Sequence, residues 1–147
     1  MPTSTRQQLV DAIVTRLKTI TVANGYNLAI GSKVYDWRMS PLLPAGLPAI
    51  EVRDGEATMS VATLDAGISH TLSITAVCLA SGATAAATAR KGLADIAKAL
   101  QTDRTFGGLA QVFLPGSTAL EVQQDNDLLA AGQYTFSLVY YTAAGEI

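Results

Sequence analysis

The sequence predicts an α+β domain, a mainly antiparallel sheet with two helices packed on it, and three observations carry that expectation. From His70 to Ala80 the residues alternate, Leu72, Ile74, Ala76 and Cys78 pointing one way and Thr71, Ser73 and Thr75 the other, the period of two of a half-buried strand. Directly after it, Ala86, Ala89, Leu93, Ile96 and Leu100 recur at helical spacing, while Arg90, Lys91, Asp95 and Lys98 fall mainly off that stripe, toward water. A second alternation closes the chain, with Tyr134, Phe136, Leu138 and Tyr140 on one face and Thr135, Ser137, Val139 and Tyr141 on the other. Each element has one apolar face, and burying both lays the helical stripe across the sheet.

In chain order, Thr3, Ser4 and Thr5 offer alternative helix caps, and Ser4 with Gln7 or Thr5 with Gln8 fits the capping-box spacing. Leu9, Ala12, Ile13, Leu17 and Ile20 make the stripe of this first helix, and Asn24-Gly25 is a left-handed stop signal. Lys33 to Trp37 suits a short strand. Pro41, Pro44, Gly46 and Pro48 then make Ser40 to Leu47 an extended loop, unusually apolar because of Met39, Leu42, Leu43 and Leu47. Ala49 to Arg53 and Glu56 to Leu64 are expected to be two strands of a hairpin around an Asp54-Gly55 turn. Asp65-Ala66-Gly67 leads into the strand at His70, and Ser81-Gly82-Ala83-Thr84 supplies the turn and capping oxygens before the second helix. Further on, Gly107-Gly108 and Pro115-Gly116 are turn signals and Ala119 to Gln123 a fifth strand. Ala131-Gly132 is expected as the turn before the last strand, Gln133 to Tyr141.

A chain of 147 residues is expected to form one domain, spanning 1–147. Ten Lys and Arg face twelve Asp and Glu with no basic cluster, so the electrostatic footprint of a dedicated nucleic-acid binder is missing. The polar start and the charges within the Ala-rich helix argue against a signal peptide or membrane span, giving the expectation of a soluble, cytoplasmic product. The lone Cys78 reads as a small core hydrophobe. His70 shares its face, but eight residues of strand put about 26 Å between them, so the two cannot hold one metal.

Strand, small-residue turn and helix start at Ser81 to Thr84 is an arrangement that cradles phosphate in several folds. Here the framing glycines and the Lys-Ser or Lys-Thr of a Walker loop are missing, as are two glycines of a dinucleotide fingerprint. The only histidine opens a strand between Ser69 and Thr71, with no nucleophile–base constellation, and the carboxylates Asp54, Glu56, Asp65, Glu121, Asp125 and Asp127 lie mostly in turns. No catalytic residue, cofactor site or metal ligand set is expected, and the chain is not expected to be an enzyme. A small ligand-binding module or enzyme using the Ser81–Thr84 turn is the alternative from a different class.

In order and length of elements the chain resembles the tail terminator, or tail-completion, proteins of long-tailed bacteriophages. The local match is Asp103-Arg104-Thr105-Phe106-Gly107-Gly108-Leu109-Ala110 after the second helix, similar to an Asp-x-Thr-Leu-Gly-Gly-Leu-like run in those proteins. The close, Tyr134 to Thr142, is similar to their final strand. Phe106 stands where Leu is usual, and Tyr141 where an Arg often precedes the last Thr. The resemblance implies a tail-terminator-like fold and a homo-oligomeric ring, usually a hexamer, at the head-proximal end of the virion tail. Such a ring caps the tail tube protein, ends its polymerisation and presents a surface to the head connector or neck protein, with a tape measure protein as a further contact. DNA would pass through it without sequence-specific binding. A head-completion or neck protein is the neighbouring alternative. Rotational head-to-tail contact closes a ring by pairing two different patches. Met39, Leu42, Leu43 and Leu47 of the Pro-rich loop, with Arg53 and Glu56 of the expected hairpin, are the candidate interface residues.

Overall fold

The computed structural model describes residues 3–37, 46–61, 67–124, 128–143 and 145–147. Helix α1 (Thr5–Leu17) is followed by a 3-10 turn, Val22–Asn24, and strands β1 (Val34–Asp36), β2 (Ala49–Val61) and β3 (Gly67–Ser81). Helix α2 (Ala85–Gln101) then leads to β4 (Val112–Gln124) and β5 (Leu128–Ala143). The strands form one sheet in the order β1-β2-β3-β5-β4. Only β1 and β2 run parallel; the other neighbours are antiparallel. This is the expected α+β architecture, with both helices on one face.

The predicted alternations place the core. Leu72, Ile74, Ala76 and Cys78 of β3 and Phe136, Leu138 and Tyr140 of β5 are fully buried beneath the helices. Leu9, Ile13 and Leu17 of α1 and Ile96, Ala99 and Leu100 of α2 meet them in one cluster. Helix α2 lies across β3 and β5, and α1 over β1 and β2. Small residues let α2 come close. A Cβ on Gly92 would overlap Cys78 Sγ, and one on Gly132 of β5 would sit 2.8 Å from Leu93 Cγ. The opposite face carries Thr71, Ser73, Thr75, Thr135 and Ser137, all half-buried, with Thr75 and Thr135 hydroxyls 3.2 Å apart.

Four local expectations change. Asp54-Gly55 is not a hairpin turn: β2 runs unbroken from Ala49 to Val61, and the extra residue is absorbed as a bulge between Asp54 and Ala57 opposite β3. Pro115-Gly116 is likewise a bulge inside β4, which begins at Val112, well before Ala119. Ala131-Gly132 sits mid-strand in β5 opposite Leu79 and Cys78, so ladder pairing overrides turn propensity there. Asp95 is 1% exposed instead of facing water. Its Oδ1 accepts from the Asn27 backbone N–H and side-chain amide at 3.0 and 3.1 Å, and its Oδ2 from the Leu28 N–H at 2.9 Å. A buried carboxylate is tolerated when its lone pairs are filled in this way. Asp65-Ala66 and Asp125 to Asp127 lie outside the described residues.

At the helix starts, Ser4 Oγ accepts from the Gln7 N–H, one half of a capping box, while the Gln7 side-chain amide donates to Asp11 Oδ1; Thr84 caps α2 without any side-chain hydrogen bond. Asn24-Gly25 ends the 3-10 turn, with Gly25 at φ 87°, and α1 itself has already stopped at Leu17. Among the described residues no helix is long and apolar enough to cross a membrane.

Candidate interaction surface

Of the expected interface residues, Met39, Leu42 and Leu43 lie outside the described residues. Leu47 is half-buried just before β2, and Glu56 is exposed in the β2 bulge. Arg53 opposes Thr75 on the face away from the helices; its guanidinium pairs with Glu51 and lies 6.0 Å from the Trp37 ring centroid. The structure therefore brings Arg53 and Glu56 onto one strand, with no hairpin between them.

What the sequence did not reveal is the group that ties this edge together. Trp37, the single tryptophan, ends β1 in a left-handed conformation, φ 35°, a strained state for a bulky side chain. Its backbone N–H donates to the Val52 carbonyl at 3.1 Å and its indole N–H to Asp54 Oδ1 at 2.8 Å. Arg6, from the first turn of α1, donates to Asp54 Oδ2 at 2.7 Å and to the Gly55 carbonyl at 2.6 Å. Three segments distant in sequence thus converge on one carboxylate. Burial disfavours its charge, but the hydrogen bonds from Trp37 and Arg6 outweigh this and hold the Asp54 carboxyl below its ordinary pKa. Asp36 moves the other way, raised by burial and by the negative charges of Asp54 and Asp11.

Two open clefts flank Trp37. One, of about 310 Å³, lies between α1 and the end of β1 and is lined by Arg6, Gln7, Val10, Asp36, Trp37 and Asp54. The other, of about 270 Å³, opens on the opposite face and is lined chiefly by Trp37, Arg53, Ser73, Thr75 and Gln133. Trp37 stays 53% exposed between them. An exposed tryptophan bracketed by guanidinium groups has the composition of a protein-contact hot spot. Its charges are already paired within the chain, Arg6 with Asp54 and Arg53 with Glu51.

Exposed large apolar side chains also gather at both margins of the sheet. Met59 and Val61 stand on β2 beyond the short β1, while Val112, Leu114 and Val122 stand on the edge strand β4.

Elsewhere the chemistry-bearing residues serve packing. His70 is buried, its ring stacked on Tyr140 with centroids 4.6 Å apart and its Nε2 2.7 Å from Thr142 Oγ1. Burial, with the negative charge of Asp95, pushes the Cys78 thiol up to about 12. Gly82 takes φ 93° in the turn before α2, and neither cleft touches Ser81 to Thr84. Among the described residues no group of three or more His, Cys, Asp or Glu side chains is placed to hold a metal ion.

The Asp103–Ala110 run is a self-supporting turn. The Asp103 carboxylate accepts from the Thr105 N–H and hydroxyl and from the Gly107 N–H, which lowers its pKa to about 2. Phe106 buries its ring, with the Arg16 guanidinium 5.5 Å from its centroid, and Arg16 also reaches Thr102 Oγ1 at 2.7 Å. The motif thereby fastens the end of α1 to the chain leaving α2. No protein-family model and no curated protein matches the chain.

Proposed function

We propose that this chain is a structural, ring-forming protein of the tail-terminator kind, which caps a phage tail tube and offers its other surface for head joining. The observation that carries the reading is the one-sided sheet, helices on one face and apolar side chains exposed at both margins, in a chain whose element order and Asp103–Ala110 turn resemble those proteins. A terminator acts by shape: it needs one surface for the tube, another for the connector, and lateral contacts that close a circle. The packed His70, the unreactive Cys78 and the internally paired arginines fit a role in assembly without chemistry.

The test is to add the purified chain to polymerising tail-tube protein and image the products by electron microscopy. Tubes should stop at a fixed end carrying a ring of density. Tubes that elongate as before, with no density at either end, would overturn the reading, and density on isolated head necks alone would favour a head-completion protein.

A further inference from the structure

A ring needs two different lateral patches, and the reading above, on which this inference rests, leaves their pairing open. We propose that copies of this chain join edge to edge, with β4 of one copy against the β1–β2 edge of the next. In that contact Glu121 faces Lys33, and Ser117 and Ala119 receive Trp37 and Tyr35.

The direction of the strands favours this contact. With β1 and β2 parallel and every later neighbour antiparallel, β4 runs opposite to β1 and β2. A rotation about an axis along the mean strand direction therefore brings β4 to its neighbour's β1–β2 edge in the antiparallel sense, and the twist of the sheet confines the close contact to a few residues.

The rows of the sheet match as well. Such a rotation keeps every residue at its own level, so the two ends of each row meet. Ala49 pairs with Leu79, Leu79 with Ala131, and Ala131 with Glu121. Lys33 immediately precedes the Val34–Ile50 pair, and its carbonyl accepts the Ile50 N–H. Lys33 and Glu121 thus end the same row. Two residues along, the row from Tyr35 through Glu51, Val77 and Gln133 ends at Ala119. Two further, Trp37 stands at the level of the Arg53, Thr75, Thr135 and Ser117 row. Large aromatic side chains on one margin accordingly stand level with small ones on the other. The Lys33 and Tyr35 rows are on the face away from the helices, because the intervening Val34, Val52, Ala76 and Tyr134 are buried; Trp37, past the end of β1, stands at the margin between the two faces with its indole N–H on Asp54.

Charge completes the match. No Lys or Arg occurs from residue 105 to the end, so nothing on β4 or β5 can neutralise Glu121. Glu121 is exposed, and neither it nor Lys33 makes an ion pair among the described residues. Edge strands that must stay alone usually carry lysine, proline or a bulge, or are very short; β1 is short and β4 has Pro115 with its bulge, but the stretch of β4 from Ser117 to Gln124 has none of these. β4 is 13 residues long, carries one charge and exposes Val112, Leu114 and Val122.

The experiment is charge reversal, read by native mass spectrometry, with circular dichroism to verify folding. Wild type should give a closed ring. Glu121→Lys and Lys33→Glu should each shift at least nine-tenths of the protein to single chains, and the double variant should restore the ring. Ala119→Arg, which leaves both charges in place but fills the space for Tyr35, should also dissociate it. A ring that persists in both single reversals and in Ala119→Arg overturns the edge pairing while leaving the ring reading standing. Single reversals that dissociate without rescue in the double variant overturn the Lys33–Glu121 contact. A wild-type chain that stays single with tail-tube protein present or absent overturns both.

Discussion

Removing the Asp95 carboxylate should be the most damaging polar substitution in the fold. In Asp95→Ala two backbone N–H groups, of Asn27 and Leu28, and the Asn27 amide lose their acceptor at once. A hydrogen bond to a charged acceptor contributes about 1.5–3 kcal/mol, and an orphaned donor costs about 1–3 kcal/mol. Relief of the carboxylate's own desolvation offsets part of this, leaving a net loss of about 3 kcal/mol. For a chain of this size that lowers the Tm by about 6–12 °C. Asp95→Asn keeps an acceptor for Asn27 but sets an amide against the Leu28 N–H, and should lose about half as much. Urea denaturation at one fixed protein concentration measures both, because assembly alone shifts apparent stability. An Asp95→Ala unfolding free energy within about 0.5 kcal/mol of wild type would mean that the carboxylate does not hold the Asn27–Leu28 segment onto α2.

Acid should act through Asp103. Its folded pKa is lowered to about 2, so the stability it contributes is present above its ordinary value near 3.8 and is lost as pH falls toward 2. Asp103→Asn should flatten the stability profile across that window, and an unchanged profile would refute the turn's role. Cys78 is buried with its thiol pushed up to about 12, so at pH 8 it should resist alkylation in the native protein and react only on unfolding; mass spectrometry after a short iodoacetamide pulse checks this. Ile96→Ala, which empties a fully buried site beneath α2, should cost about 2–5 kcal/mol in the same urea assay, and a loss below about 1 kcal/mol would mean the helix is not packed there.

The elements with two clean faces were legible in the sequence. Leu72, Ile74, Ala76 and Cys78, like Tyr134, Phe136, Leu138 and Tyr140, recur on one face, with the buried Val77 and with Val139 as apolar exceptions on the other, and both strands pair as that alternation requires. Where local chemistry competes with long-range pairing it misleads. Asp54-Gly55 has turn composition, but the residues on either side continue the same ladder with β3, so one residue bulges instead of reversing the chain. Ala131-Gly132 has turn composition too, whereas the missing side chain of Gly132 makes room for Leu93. Helical spacing turns Asp95 toward water because it gives an angle around the axis and does not reveal that Asn27 and Leu28 fold over that angle. The Trp37 cluster escaped for the same reason: Arg6 and Asp54 are 48 residues apart, and nothing at either position announces the other. A lone tryptophan beside a Pro-rich run was the available signal.

The mass of the native particle tests most directly whether this chain exists to assemble. At micromolar concentration a closed ring predicts one discrete species near six times the 15.3 kDa chain, with no ladder of larger, open-ended products. A single 15.3 kDa species at every concentration, with tail-tube protein present or absent, would contradict it.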